Sequence, residues 1–434
     1  MGPIAPGRRT RYRAAMSAPT APSPTPFPRS FYVANGIELF ERLAFYGVYV
    51  VLSVYLTSVV GLDDVTAGDA MALYAFFRLG PLLGGVIADR IGFRAALIAS
   101  LATYVAGYAV LLVASTANEA RLSIVLIGLA GALFKPIITG TVVRTSPEGR
   151  QTEGFAIFYR IVNAGSVVGK TLTYAVRVSL SLRLVVVNAV LASIAAVGLA
   201  AWVFKEPSGS PERAAEISAG GDDAKKPGIV ASLRGVGSAL RDVRFTGALV
   251  LLSGFYFMAE QFYQTFPKYV TRHIDADAPL EWVTLVNPLF IALFQSQVTA
   301  RTRALPPLTA MVAAMFVGSA SMFLMGSLPG LWGACVSFGV FAFAEMIFAP
   351  RFYDYVARFA PRGQEATFMG LTVLPVAIGG ILGGLVSGRL IAAYLPAEGL
   401  RSPFTIWTTY ALCGLGCALA MAVYHRLVRA TAAA

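Results

Sequence analysis

At 434 residues the chain has the length of two or three soluble domains, but its composition excludes them. Hydrophobic residues make up 56% and charged residues 13%, with a mean hydropathy of +0.67, whereas soluble domains are about a quarter charged. Too few charges remain to cover a soluble surface, so the chain reads as an integral membrane protein in a lipid bilayer. The net charge of +12 does not point to nucleic acid. The basic residues lie in short loops between apolar runs, without a module that interleaves them with stacking aromatics.

In chain order, residues 1–30 are rich in Pro, Ser, Ala and Arg and lack the apolar core of a signal peptide, so they read as a disordered cytoplasmic tail. Apolar runs of spanning length, about 20 residues each, follow near 31–60, 67–88, 94–115, 120–143, 152–177 and 183–204. Residues 205–243 carry Pro207, Gly209, Pro211, Gly220, Gly221, Lys225 and Lys226, the composition of a cytoplasmic linker. Six more runs lie near 245–270, 280–300, 305–328, 330–357, 366–394 and 402–427. Helix is the conformer that satisfies the backbone in lipid. The predicted fold is therefore an all-α membrane protein of twelve transmembrane helices in two six-helix bundles, 31–204 and 244–428, with a short tail at 429–434. Loop charges place both termini in the cytoplasm of a multi-pass cell-membrane protein: Arg8, Arg9, Arg90, Arg94, Arg144, Arg301, Arg303, Arg358 and Arg426 fall on one side. Arg121, Arg183, Arg272 and Arg401 fall on the other, beside Asp63, Asp64, Asp275 and Asp277.

The informative residues are ionisable groups inside these helices, each costing about 2.5–3.5 kcal/mol on insertion. The first helix holds Glu38, Glu41, Arg42, Tyr46 and Tyr49 in the run ELFERLAFYGVY. Glu38 and Arg42 are four apart and share a face with Tyr46, with Glu41 beside them. The fourth helix adds Lys135. Two acids and two bases form a neutral cluster if the two helices meet. Such a cluster is either a buried ion network that fixes helix contacts or a proton switch, in which protonating one Glu frees Lys135 or Arg42 for another acid, a substrate carboxylate included.

Other buried charges are unevenly shared. The first half adds Arg78, Arg160 and Lys170 without new acids; the second adds Glu260 and Glu345 without a deep base. That polarity suits a zwitterion such as a short peptide, carboxylate towards the first half and amine towards the second. Alternatively Arg78 or Arg160 bonds Glu260 or Glu345 directly and gates the cavity. Phe158, Tyr159 and Tyr256 either line such a cavity or belong to core or lipid faces. Pro136, Pro288, Pro350 and Pro375 predict kinked or locally unwound helices; Gly80, Gly84, Gly379, Gly380, Gly383, Gly384 and Gly388 predict close helix approach. Cys335, Cys413 and Cys417 have neither metal nor disulfide spacing. His273 and His425 sit at segment edges.

Several of these stretches resemble known families. GGVIADRIGFR, 84–94, resembles the loop between helices two and three of the major facilitator superfamily, which implies a latch at Asp89 and Arg90. ELFERLAFYG at 38–47, GALFKP at 131–136, FAIFYRIVNAGS at 155–166, LVNPLF at 285–290 and AEMIFAPRFYDYVARFAPRGQEATFMGL at 344–371 resemble, in order, signatures of the proton-dependent oligopeptide transporters within it. The resemblance implies proton-coupled import of di- and tripeptides by alternating access. It assigns Glu38, Glu41, Arg42 and Lys135 to proton coupling, Tyr46, Asn163 and Asn287 to peptide contacts, and Glu345 to the peptide amine. Glu260, in FMAEQFYQ, resembles the family's seventh-helix acid and is a gating candidate.

Two departures bear on the substrate. The family's second first-helix Arg is replaced by Tyr49, and Arg160 stands beside Tyr159 where an apolar residue is usual; Arg160, Arg78 or Lys170 either supplies the missing positive charge from another helix or marks a different anionic substrate. Tyr49, Tyr159 and Arg160 thus join the candidate substrate site, and a same-family carrier of a non-peptide anion or drug-like solute is the alternative. The sequence predicts a monomeric secondary transporter and not an enzyme, with protons as coupling ion and no other cofactor or metal. No nucleophile–base pair, metal cluster or phosphate loop is present in the sequence.

Overall fold

The computed structural model describes residues 26–147, 150–206, 237, 240–359 and 369–433. The side chains of 83, 86, 89, 151, 152, 359 and 427–433 also fall outside the described part. The tail expected at 1–30 and the linker expected at 205–243 therefore lie mostly outside it.

Every regular element among the described residues is a helix. In the first half these are α1 (Arg29–Tyr49), α2 (Leu52–Ser58), α3 (Asp64–Phe76), α4 (Pro81–Ile91), α5 (Phe93–Val113), α6 (Ala117–Thr145), α7 (Gln151–Ser179) and α8 (Leu182–Trp202). The second half holds α9 (Val243–Gln264), α10 (Phe266–Tyr269), α11 (Leu280–Val283), α12 (Val286–Thr302), α13 (Pro307–Ser327), α14 (Gly330–Phe359), α15 (Val373–Tyr394) and α16 (Pro403–Ala433). Nine stretches of the described residues are long and apolar enough to cross a membrane. The pair α1 and α2, bent by 52° at their junction, makes a tenth. The remaining two expected spans are α3–α4, interrupted by a 3-10 turn at Phe77–Leu79, and α7, which is long enough but charged along its length. Of the ten qualifying stretches, four precede residue 205 and six follow it.

The helix ends follow from local chemistry. Asp63 caps α3 by accepting from Thr66 N–H, Asp242 caps α9, and Thr116 with Glu119 forms a capping box on α6; each satisfies donors that have no partner within the first turn. The prolines behave in two ways. Pro136 and Pro350 sit inside continuous helices. Pro288 and Pro375 instead lie in the first turns of α12 and α15, where no intrahelical N–H bond is lost. The break in the first span falls at Val50–Val51, where no proline stands.

Each half has its own apolar core. One is built from residues such as Phe31, Tyr55, Leu97, Tyr108 and Phe134. The other includes Phe255, Phe262, Phe338, Phe348 and Trp407, with Phe255 and Phe348 stacked at 4.0 Å. Outward faces carry exposed Leu129, Leu191, Leu382, Leu412 and Val423, the sign of a surface made for lipid. The halves meet mainly where α3 runs along α15. There a Cβ on Gly68 would stand 2.5 Å from the Gly384 carbonyl oxygen, so backbone meets backbone with no room for a side chain.

Candidate functional site

The first-half cluster forms. α6 packs on α1 and brings Lys135 Nζ to 3.2 Å from Glu38 Oε1. Arg42 Nε lies 3.3 Å from the same carboxylate oxygen and donates to Glu41 Oε2. Glu38 is 0% and Glu41 2% exposed, yet Glu38 Oε2 and Glu41 Oε1 have no hydrogen-bond partner among the described residues. The Arg42 guanidinium stands over Phe45 at 5.0 Å and Tyr46 at 5.7 Å, and Lys135 Nζ over Phe158 at 5.1 Å. Arg42, Lys135, Phe45, Tyr74 and Arg78 then line a cavity of about 300 Å³ with Tyr353 of the second half.

A second network bridges the halves. Arg78 donates to Glu260 Oε1 and, at 2.7 Å, to the Tyr49 hydroxyl; Tyr49 donates in turn to Glu260 Oε2 at 2.8 Å. Tyr49 stacks between Phe45 and Tyr263. Of the two sequence readings for these charges, the direct ion pair is the arrangement present, made by Arg78 and not Arg160. The acid of α9 therefore receives its base from α3–α4, and Tyr49, in place of a first-helix Arg, ties both to α1.

The second-half candidates are simpler. Asn287, at the start of α12, donates to Glu345 Oε2 of α14 at 3.0 Å. Tyr159, Arg160 and Asn163 are exposed on α7, and among the described residues Arg160 Nε reaches its own helix, at Ala156 O, 3.3 Å away. They do not join either network. Of the latch pair, Arg90 is exposed in the last turn of α4, and the Asp89 side chain lies outside the described residues. The neighbouring junction is held otherwise: Glu206 accepts from Phe93 N–H at 2.7 Å and Arg94 N–H at 2.9 Å, capping α5 just after Gly92, whose φ of 88° only glycine adopts readily.

Sequence reasoning missed a set of pairs at the end of the bundle away from the termini. Lys268, 2% exposed, donates to Asp64 Oδ1 at 2.8 Å, and Arg272 reaches Asp64 Oδ2 at 2.8 Å. Arg177 of α7 donates to Glu281 Oε1 at 2.7 Å and Oε2 at 3.0 Å and to the carbonyls of Ala276 and Ala278. Arg389 meets Asp69 at 3.2 Å. Each pair joins one half to the other. The signal lies in Lys268 and Glu281, charged residues inside the apolar runs 245–270 and 280–300, but nothing in the sequence pairs them with Asp64 and Arg177.

The comparisons agree with this architecture. The Major Facilitator Superfamily model matches residues 37–384. Multidrug resistance protein MdtH of Cronobacter sakazakii is 25% identical over 377 residues, covering 86% of this chain and 89% of that protein; its namesake from Shigella sonnei is 23% identical, covering 90% and 92%. Among solved structures, a peptide transporter POT in complex with sulfate superposes with a TM-score of 0.74 at 18% identity, covering 92% and 95%. A POT family transporter bound to 5-aminolevulinic acid gives 0.71 at 20%, covering 92% and 96%. The nucleoside transporter NupG gives 0.73 at 14%, covering 91% and 99%, so the shared fold does not single out a substrate. With its helices arranged as two halves around a charged cavity and a family model spanning most of its length, the chain belongs to the major facilitator superfamily and is a multi-pass membrane transporter, not an enzyme.

Proposed function

We propose that the protein is a proton-coupled symporter that imports di- and tripeptides by alternating access, with both termini in the cytoplasm. The observation that carries this reading is the chain Lys135–Glu38–Arg42–Glu41, whose two carboxylates are buried. Two carboxylates share two cations, and each keeps one buried oxygen without a donor among the described residues. An unmet buried oxygen is costly, and a proton on the carboxylate removes the negative charge that makes it so. Protonation then releases Arg42 or Lys135, which face the cavity, for a substrate carboxylate. Occupancy by proton and by substrate is thereby linked, because either change alone leaves a buried charge unbalanced. Glu345, held by Asn287, stands as the acceptor for a peptide amine. Alternating access finds support in the ion pairs that close one end of the interface between halves.

Purified protein in proteoliposomes should take up Ala-Ala saturably, faster with the lumen alkaline. Absence of uptake for every member of a broad di- and tripeptide panel would reject the reading.

A second reading, a proton-coupled carrier of a drug-like or non-peptide anionic solute, is favoured by one feature. The arginine that would clamp a peptide carboxylate beside α1 is here Tyr49, and the nearby Arg78 is already engaged by Glu260. The two multidrug-resistance relatives are in keeping with it. Competition of unlabelled peptides against such solutes for transport separates the two.

A further inference from the structure

Two lysines of the described chain are buried, Lys170 at 1% and Lys268 at 2% exposure. Lys268 has Asp64. Lys170, in the middle of α7, has no hydrogen bond and no ion pair with any described residue. Its ammonium sits instead between two aromatic rings, 5.6 Å from the centroid of Tyr46 on α1 and 5.9 Å from that of Tyr263 on α9. One ring belongs to each half of the protein. The placement is fixed by backbone: a Cβ on Gly169 would stand 2.4 Å from the Leu43 carbonyl oxygen, and Thr173 donates to Gly47 O at 2.9 Å. α7 is therefore keyed against α1 on both sides of Lys170 and cannot turn its side chain elsewhere.

The three cations that line the cavity between the halves are spoken for. Lys135 and Arg42 share Glu38 and Glu41, and Arg78 holds Glu260. Ring faces attract an ammonium but carry no net negative charge, so they offset only part of the cost of desolvating it. An anion of about carboxylate size, entering between the halves, would supply what the protein does not.

We propose that Lys170, framed by Tyr46 and Tyr263, is an anion-recognition residue of the transport pathway and receives the carboxylate of the carried solute. The inference rests on the transport reading above and deepens it: Lys170 is where the carboxylate docks, before protonation frees Arg42 or Lys135. Because the two rings come from different halves, an anion held there also touches both. Binding at Lys170 would then favour the arrangement in which Tyr46 and Tyr263 are close.

The test uses the full-length protein in detergent, with Ala-Ala and its C-terminal amide as probes and ligand-induced thermal shift as the readout. Wild type should bind Ala-Ala more tightly than the amide. Lys170→Gln should weaken Ala-Ala about tenfold while leaving amide binding unchanged, erasing the preference; Lys170→Arg should keep it. The ligand-free melting curves and elution profiles of the variants report folding, and Tyr263→Leu, which removes one ring without touching the lysine, should weaken Ala-Ala less than Lys170→Gln does. A wild type that does not distinguish acid from amide, or a preference that survives Lys170→Gln, overturns the proposal. Uptake by wild-type proteoliposomes is read separately. Lys170-dependent binding without uptake would sink the transport reading and leave the anion site standing.

Discussion

The bridge between halves makes a quantitative prediction. Glu260 is 7% exposed and its carboxylate is held by Arg78 and Tyr49 together. Arg78→Gln removes the balancing charge and strands a buried anion, a change that costs about 3–5 kcal/mol. For a domain the size of one half, about 2–4 °C per kcal/mol turns the lower figure into a fall of about 6–12 °C in the unfolding midpoint. Glu260→Gln should cost less. The Arg78 guanidinium lines the 300 Å³ cavity, where water can reach it, and the glutamine oxygen still accepts. The double variant Arg78→Gln/Glu260→Gln should recover much of the loss, since no buried charge then remains unmatched. Tyr49→Phe, which deletes a donor to Glu260 and an acceptor for Arg78, should fall between wild type and Arg78→Gln, at about 1–2 kcal/mol. The measurement is a double-mutant cycle in unfolding midpoints, in one detergent and at one protein concentration, because residues that share a network fail to add. If the two single losses simply sum in the double variant, or if Glu260→Gln is the more damaging, the pair is not balancing a buried charge and the argument is wrong.

Three further outcomes are expected. Glu41→Gln should abolish proton-driven accumulation in proteoliposomes while sparing exchange of labelled for unlabelled substrate, because it fixes that carboxylate in its uncharged form; unaltered accumulation would place the switch elsewhere. Arg177→Ala should destabilise by about 3–5 kcal/mol, read as a lowered midpoint, since Glu281 is 0% exposed and loses both donors to its carboxylate. Asp63→Ala should cost about 1 kcal/mol as a lost helix cap. The hydroxyl and N–H of Thr66 hold the Asp63 carboxyl below the usual carboxylate range. Its contribution is therefore complete above the ordinary carboxylate pKa and fades as pH falls through the lowered one; a wild-type midpoint that acid lowers no more than the variant's would count against the cap.

How much of this was legible in the sequence depends on the range of the interaction. Hydropathy alone finds ten of the twelve expected spans, because lipid demands a run of fixed length. It also flags Glu38, Glu41, Arg42 and Lys135, because a charge in such a run is anomalous wherever it points. Spacing of four residues put Glu38 and Arg42 on one face, and the structure has them 3.3 Å apart. Partner choice across helices is different. Nothing local to Glu260 says whether Arg78, 182 positions away, or Arg160 will meet it; that depends on the close approach of α3 and α15. The same holds for Arg177 and Glu281. The bend at Val50–Val51 escaped for another reason: kinks were assigned to prolines, and there the cause is not in the residue type. Arg160 shows the converse. An arginine inside an apolar run is anomalous, yet among the described residues its hydrogen bond goes to Ala156 O of its own helix, from the exposed face of α7.

The ion pairs fall into two kinds, and the difference bears on how transport would be driven. Glu38, Glu41, Arg42 and Lys135 all belong to the first half, so they can exchange a proton for a substrate charge without the halves moving apart. Asp64 with Lys268 and Arg272, Arg177 with Glu281, Asp69 with Arg389, and Arg78 with Glu260 each span the two halves, and the first three sit near one end of the interface. Opening that end breaks them together. The exposed pair Asp69–Arg389 contributes little to this, whereas the buried ones leave charges that water must reach before they can part. A cycle built on this scaffold therefore needs the first kind to change state in order to offset the second. Glu260 is the place where they touch, since Tyr49, which binds it, lies on the same helix as Glu38, Glu41 and Arg42. Tyr49→Phe separates the roles: it should leave the proton-dependence of substrate binding intact while slowing the transport step that follows. Loss of proton-dependent binding in that variant would mean the two networks are one.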